Sequence, residues 1–181
     1  IYPLLLFLLG LPAEELSREE RNAIARDIES WLVRRFVCGL TVKNYNRFFV
    51  NLLKDVKKAH REGESLHDVV RTELLRPEGP AGRWPDDDEF LQGWLSNPVY
   101  FKTRSDRSRM LLAAIEGHIR SSKSESVPIS AELTVEHLLP QTWDPQRHPF
   151  GGGSYIREQE TEERARQRLV DTIGNLTLLT S

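Results

Sequence analysis

The residues of this chain with the most chemistry are Glu136, His137 and Asn175. Glu136 and His137 lie in the run Thr134-Val135-Glu136-His137-Leu138-Leu139-Pro140, and Asn175 lies in Ile173-Gly174-Asn175-Leu176-Thr177-Leu178-Leu179. Both runs are short, apolar and rich in Leu or β-branched residues, which predicts two antiparallel strands with a long insertion between them. Pro140 cannot donate to a ladder and closes the first run. An imidazole takes a proton from water near neutral pH. A carboxylate is a hard ligand for a divalent cation such as magnesium or manganese. A base beside a metal is the minimum equipment for hydrolysing a phosphodiester, because the base makes the nucleophile while the cation neutralises charge on the phosphate and leaving oxygen. An amide such as that of Asn175 can hold the histidine in one tautomer and orientation. The same residues also read as a buried structural pair on a strand. Neighbours on a strand point to opposite faces, so a shared site requires the backbone to leave regular strand geometry near Leu138 to Pro140.

The run Glu136-His137-Leu138-Leu139-Pro140, followed by Gly174-Asn175-Leu176, resembles the first two parts of an HNH (His-Me finger) nuclease. More narrowly, VEHLLPQTW with IGNLTLL resembles the C-terminal nuclease domain of GmrSD-type, modification-dependent restriction endonucleases. The stretches SWLVRRFVCGLTVKNYNRFF and RWPDDDEFLQGWLSNPVY resemble the helical region before that motif, so the likeness runs from about Trp31 to the end. The resemblance implies His137 as general base, Glu136 as a ligand of Mg2+ or Mn2+, and Asn175 as the residue that orients the His137 loop. It also implies a further helix with another metal ligand. The chain ends at Ser181, before such a helix, so the resemblance implies a piece without activity of its own. An upstream nucleotide-hydrolysing or sensing domain and defence against foreign, modified DNA are implied in the same way.

The 181 residues suffice for one domain or two small ones. Apolar residues make up 39% and charged residues 29%, values that suit a folded soluble protein. A net charge of −2 leaves any nucleic-acid contact to local patches. The single cysteine, Cys38, excludes a disulfide framework within the chain and suits a reducing cytoplasm. The apolar start from Ile1 to Leu9 is too short to span a bilayer and has no basic lead-in, so no membrane role is expected. It reads as a buried helix of a fragment cut at both ends from a longer protein.

The elements that position the motif read as helices. Ser17 to Glu20 forms a capping box, Ile24, Ile28, Leu32 and Phe36 make a stripe, and Gly39 is a C-cap. Tyr45, Phe48, Phe49, Leu52, Leu53 and Val56 have helical spacing; these aromatics read as core rather than base-stacking platforms. Ser65 begins a helix to about Leu75, and Pro77 to Pro85 is a loop. Asp86 to Asp88 reads as acidic N-capping rather than a metal site. A helix over about Ser105 to Arg120 puts Met110, Leu111, Ala114, Ile115 and Ile119 inward. Lys102, Arg104, Arg107 and Arg109 at its start are candidates for phosphate contact, with a solvated helix end as the alternative. Ser121 to Ser126 and Pro128 mark a linker. His148 is not expected in the site, and Gly151 to Gly153 reads as a flexible loop. Glu158 to Asp171 is a charged helix anchored by Ala165, Leu169 and Val170.

The expected fold is mostly α, a helical bundle over 1–126 followed by an incomplete ββα-metal (HNH) motif over 127–181 with two short antiparallel strands. The expected function is metal-dependent cleavage of DNA phosphodiesters by a cytoplasmic restriction or phage-defence protein. The alternative is a non-catalytic helical interaction or DNA-binding module with a degenerate motif.

Overall fold

Residues 1–76, 82–100, 105–120 and 133–180 are described by the structure, a computed structural model. Among them are seven α-helices and one two-stranded antiparallel sheet, so the fold is mostly helical. Contacts divide the chain into two compact units, Ile1–Phe90 and Leu91–Ser181. The division expected at 126/127, the linker from Ser121 to Ser126 and Pro128 lie outside the described residues, as does the start of the loop at Pro77.

The first unit holds α1 (Tyr2–Gly10), α2 (Arg18–Val37), α3 (Tyr45–Glu62) and α4 (Leu66–Leu75). Ser17 caps α2 by accepting the Glu20 N–H at 3.1 Å. The Glu20 carboxylate accepts the His67 N–H of α4 at 3.2 Å, so it ties two helices together. Gly39 ends α2 at φ +66, and the N–H groups of Gly39 and Leu40 return to the carbonyls of Phe36 and Arg35. That pattern needs a left-handed residue, which glycine adopts without strain. Ile24, Ile28 and Trp31 of α2 pack with Phe49, Leu52 and Val56 of α3 and with Val70 and Leu74 of α4. Trp31 stacks on Phe48 at 5.0 Å and meets Phe49 edge-on at 5.7 Å, so these aromatics form the core as expected. The α1 helix is buried on one side only: Leu4 and Leu8 face inward, while Tyr2, Leu6 and Leu9 are exposed.

One sequence reading at the end of this unit holds. Asp86 accepts the Glu89 N–H at 2.8 Å and starts α5 (Asp87–Ser96), while Asp87 pairs with Arg34 and Glu89 with Arg83. The acidic triplet is therefore a helix start. Burial and then the nearby Glu89 carboxylate push the Cys38 thiol up, which keeps it protonated and unreactive.

The second unit contains the rest of α5, α6 (Ser105–Ile119), β1 (Leu133–His137), α7 (Glu162–Val170) and β2 (Leu176–Thr180). β1 and β2 pair antiparallel, with Val135 opposite Leu178 and His137 opposite Leu176. The second run is a strand only from Leu176; Ile173–Asn175 forms a 3-10 turn before it. The α6 helix packs against both strands. It buries Ser108 and Leu111, whereas Met110 and Ile119 are 58% and 71% exposed and Ala114 is also exposed. The expected inward stripe was too wide, because a two-stranded sheet offers a helix little surface to cover. The charged helix is also shorter than expected. Gln159 has a left-handed backbone at φ +64, and the Thr161 hydroxyl caps α7 by accepting the Arg164 N–H at 3.3 Å.

Candidate functional site

Alternation along β1 sends Val135 and His137 to the half-buried face and Thr134 and Glu136 to the exposed one. The strand ends at His137 and the chain bends at Leu138 and Leu139, but the bend comes after both residues and leaves Glu136 and His137 on opposite faces of β1, against the expectation that it would bring them together. The His137 side chain is 9% exposed. Its Nε2 lies 3.2 Å from Oδ1 of Asp171, and the Tyr100 ring meets the imidazole edge to face at 4.5 Å between centroids. An ionised carboxylate can only accept, so Nε2 carries the hydrogen and Nδ1 of the neutral ring keeps the lone pair of a base.

Asp171 organises this corner. It is the residue after α7, and its backbone carbonyl accepts the N–H groups of Val99 at 2.8 Å and Tyr100 at 3.2 Å. One residue thus anchors the Tyr100 segment by its main chain and His137 by its side chain. Sequence reasoning missed Asp171 because 34 positions separate it from His137. A carboxylate four residues before Asn175 was the available signal.

Asn175 does not meet the imidazole. Its Oδ1 accepts the Leu139 N–H at 2.7 Å, and its Nδ2 donates to the carbonyls of Val170 at 2.7 Å and Leu139 at 3.3 Å. The backbone adds a bond from Leu138 N–H to the Asn175 carbonyl at 2.9 Å. The buried amide therefore clamps the bend that follows His137, from both sides of Leu139, onto the end of α7. Beyond it, Arg166 donates to the Pro140 carbonyl and lies over the Trp143 ring. The Trp143 indole N–H donates to the His148 carbonyl at 2.6 Å; the His148 residue is exposed and enters through its main chain. Of the three glycines, Gly152 has the steric reason to be one, since a Cβ there would lie 2.5 Å from the Phe150 ring. Leu139, Phe150, Gly152, Ile173 and Asn175 help to line a cavity of about 530 Å³ beside the clamp.

Glu136 is exposed on the other face of β1, within 3.5 Å of the Thr134 hydroxyl. Among the described residues no three His, Cys, Asp or Glu side chains converge to hold a metal ion. The donors among the described residues thus do not make up a complete magnesium or manganese site, which takes several oxygen ligands at once. Of the basic candidates, Lys102 and Arg104 lie outside the described residues; Arg107 is half-buried and Arg109 exposed on α6.

An ion-pair clamp sets the start of α7. Arg168 donates from Nε and Nη2 to both oxygens of Glu160 at 3.1 and 2.8 Å, and the Arg157 N–H adds a third bond at 3.0 Å. These bonds, the Arg168 fork foremost, hold the Glu160 carboxyl down to about 2. With the folded value below the ordinary 4.5, ionised Glu160 stabilises this unit above that pH, and the contribution is lost as pH falls towards about 2. Thermal melts between pH 2 and 5 should therefore fall less steeply for Glu160→Gln than for the parent; parallel curves would remove the clamp from the acid response.

Residues 84–181 match the family of GmrSD restriction endonucleases, C-terminal domain, and the chain belongs to that family. It is thus related to the nuclease domains of restriction endonucleases. Of the two upstream stretches read as similar, RWPDDDEFLQGWLSNPVY lies within the matched region apart from Arg83, and SWLVRRFVCGLTVKNYNRFF lies before it. No curated protein and no solved structure matches the chain. No helix among the described residues is long and apolar enough to cross a membrane.

Proposed function

We propose that this domain hydrolyses DNA phosphodiester bonds as an HNH-type endonuclease with His137 as general base. The observation that carries the reading is the His137 imidazole at the end of β1, with Nε2 held by Asp171 and the next residues clamped by Asn175. That arrangement leaves Nδ1 to take a proton from water while the water oxygen attacks phosphorus and the bond to the leaving oxygen breaks. Fixing the ring from behind and the loop from the side keeps the base aimed. The family of the chain supports DNA as the substrate. It also supports dependence on a divalent cation, magnesium or manganese. Glu136 would be one ligand. The described residues do not complete a site for the ion. In this reading the protein acts in the cytoplasm in restriction or phage defence, downstream of a nucleotide-hydrolysing or sensing domain.

A specific observation favours a second reading, a non-catalytic DNA-binding or interaction module with a degenerate motif. Glu136 and His137 occupy opposite faces of one strand. Supercoiled plasmid incubated with full-length protein that carries this domain distinguishes the two. The nuclease reading expects nicked and linear products with magnesium or manganese, and their loss with a chelator. Intact plasmid under every ion condition, with DNA binding retained, would establish the module.

A further inference from the structure

The main chain of Val99 and Tyr100 is held from two sides. The buried Ser108 hydroxyl of α6 donates to the Val99 carbonyl at 2.7 Å. From the end of α7, the Asp171 carbonyl accepts the N–H groups of Val99 and Tyr100 at 2.8 and 3.2 Å. Val99 is buried and Tyr100 half-buried. The backbone of Tyr100 is therefore fixed without help from its own side chain. Its ring lies against the imidazole of His137, with centroids 4.5 Å apart and planes 84° to one another. The Asp171 carboxylate holds that imidazole by one contact, Nε2 to Oδ1 at 3.2 Å. A single hydrogen bond selects the tautomer but not the plane of the ring. The imidazole can still tilt about the line joining the two atoms, and its terminal torsion is intrinsically broad. An aromatic wall at right angles removes that freedom, because edge-to-face pairs have a preferred geometry.

We propose that Tyr100 is a positioning residue for His137: its ring fixes the plane of the imidazole and so aims Nδ1 at the attacking water, an inference that rests on the nuclease reading above. Asp171 sets which nitrogen carries the hydrogen, and Tyr100 sets where the other one points. Both restraints start at Asp171, one through its side chain and one through its carbonyl, so the base and its wall are carried by one residue. A base held in this way needs no reorganisation before it takes the proton. The contact is between rings, so the aromatic ring is required and the phenol oxygen is dispensable.

Two variants separate the ring from the hydroxyl: Tyr100→Phe keeps the ring and Tyr100→Leu removes it. Nitrogen NMR of the histidine side chains reads the imidazole without any cleavage, with the His137 signals identified by their loss in His137→Ala. At a pH where the ring is neutral, the parent and Tyr100→Phe should show two well-separated nitrogen shifts for His137, the mark of one tautomer. In Tyr100→Leu the two shifts should draw together as the ring tilts away from Asp171. In full-length protein that carries this domain, single-turnover plasmid cleavage should fall about tenfold in Tyr100→Leu with duplex affinity unchanged, and stay within about twofold of the parent in Tyr100→Phe. If Tyr100→Leu melts early, Tyr100→Met takes its place, since a flexible thioether fills the space without a ring. Parental shifts or a parental rate in the variant without a ring overturn the proposal. An equal loss in Tyr100→Phe also overturns it, because the hydroxyl would then be the group that acts. A parent that leaves DNA intact sinks the nuclease reading, and the aiming of Nδ1 at water falls with it; the nitrogen shifts still decide whether Tyr100 holds the ring of a structural histidine.

Discussion

Plasmid cleavage is expected to fall by about a hundredfold to ten-thousandfold when His137 becomes alanine, the range that a general base contributes. The loss should lie in kcat, since the side chain is 9% exposed and offers DNA little binding surface in the ground state. Asp171→Asn provides the second half of the test. The amide keeps the shape but can present an N–H to Nε2, which permits the wrong tautomer and takes the lone pair away from Nδ1. A loss of about tenfold to a hundredfold in kcat with unchanged DNA affinity is expected, as for groups that orient a reacting residue. Single-turnover cleavage, with affinity measured separately in the absence of divalent ions, checks both. An alanine variant that cuts as fast as the parent removes His137 from the chemistry. Full activity in Asp171→Asn reduces the Asp171 contact to packing.

The second large effect concerns Asn175. Alanine there strands the Leu139 N–H and the carbonyls of Leu139 and Val170, all of which the amide engages. Buried groups left without partners cost about 1–3 kcal/mol each when water cannot reach them, and partial rescue by solvent brings the expected total to roughly 2–4 kcal/mol. For a unit of this size that corresponds to a transition about 10–20 °C lower. Where the variant is still folded, cleavage should also drop by about tenfold to a hundredfold, because the bend after His137 loses its tether. Calorimetric melts read the first effect and cleavage at low temperature the second. An unchanged melting temperature would mean that the clamp does not hold the bend. A lower melting temperature with an unchanged rate would make Asn175 purely structural.

These expectations separate two jobs that one strand pair performs. Asp171 fixes the ring and Asn175 fixes the chain beyond it, and both sit where α7 gives way to β2. The short 3-10 turn Ile173–Asn175 explains the division. It turns the Asn175 amide towards the main chain of Leu139 and leaves the imidazole to a carboxylate one turn earlier. The amide and carboxylate therefore act on successive parts of the same bend. Arg166, on the preceding helix, holds the third part at Pro140.

Much of the scaffold was legible in the chain itself. Ser17, Ser65 and Asp86 announce helix starts through local hydrogen bonds, and Gly39 ends a helix through its own backbone freedom. The apolar spacing of α2 and α3 specifies the buried faces, because helical periodicity is a property of neighbours in sequence. The two strands and the family motif were readable for the same reason. What the sequence could not determine was which side chains meet across long separations. The pairing of His137 with Asp171, the turn of Asn175 towards Leu139 and the inward rotation of Arg166 depend on how α7 and the residues after it meet the bend that follows β1. The wide stripe expected on α6 failed on the same ground, since periodicity marks what a helix could bury and the partner surface decides how much it does. The alternation of β1 separates Glu136 from His137 in space, although they are adjacent in the chain. Local chemistry therefore selected the candidate base, and only tertiary packing supplied the groups that hold it in place.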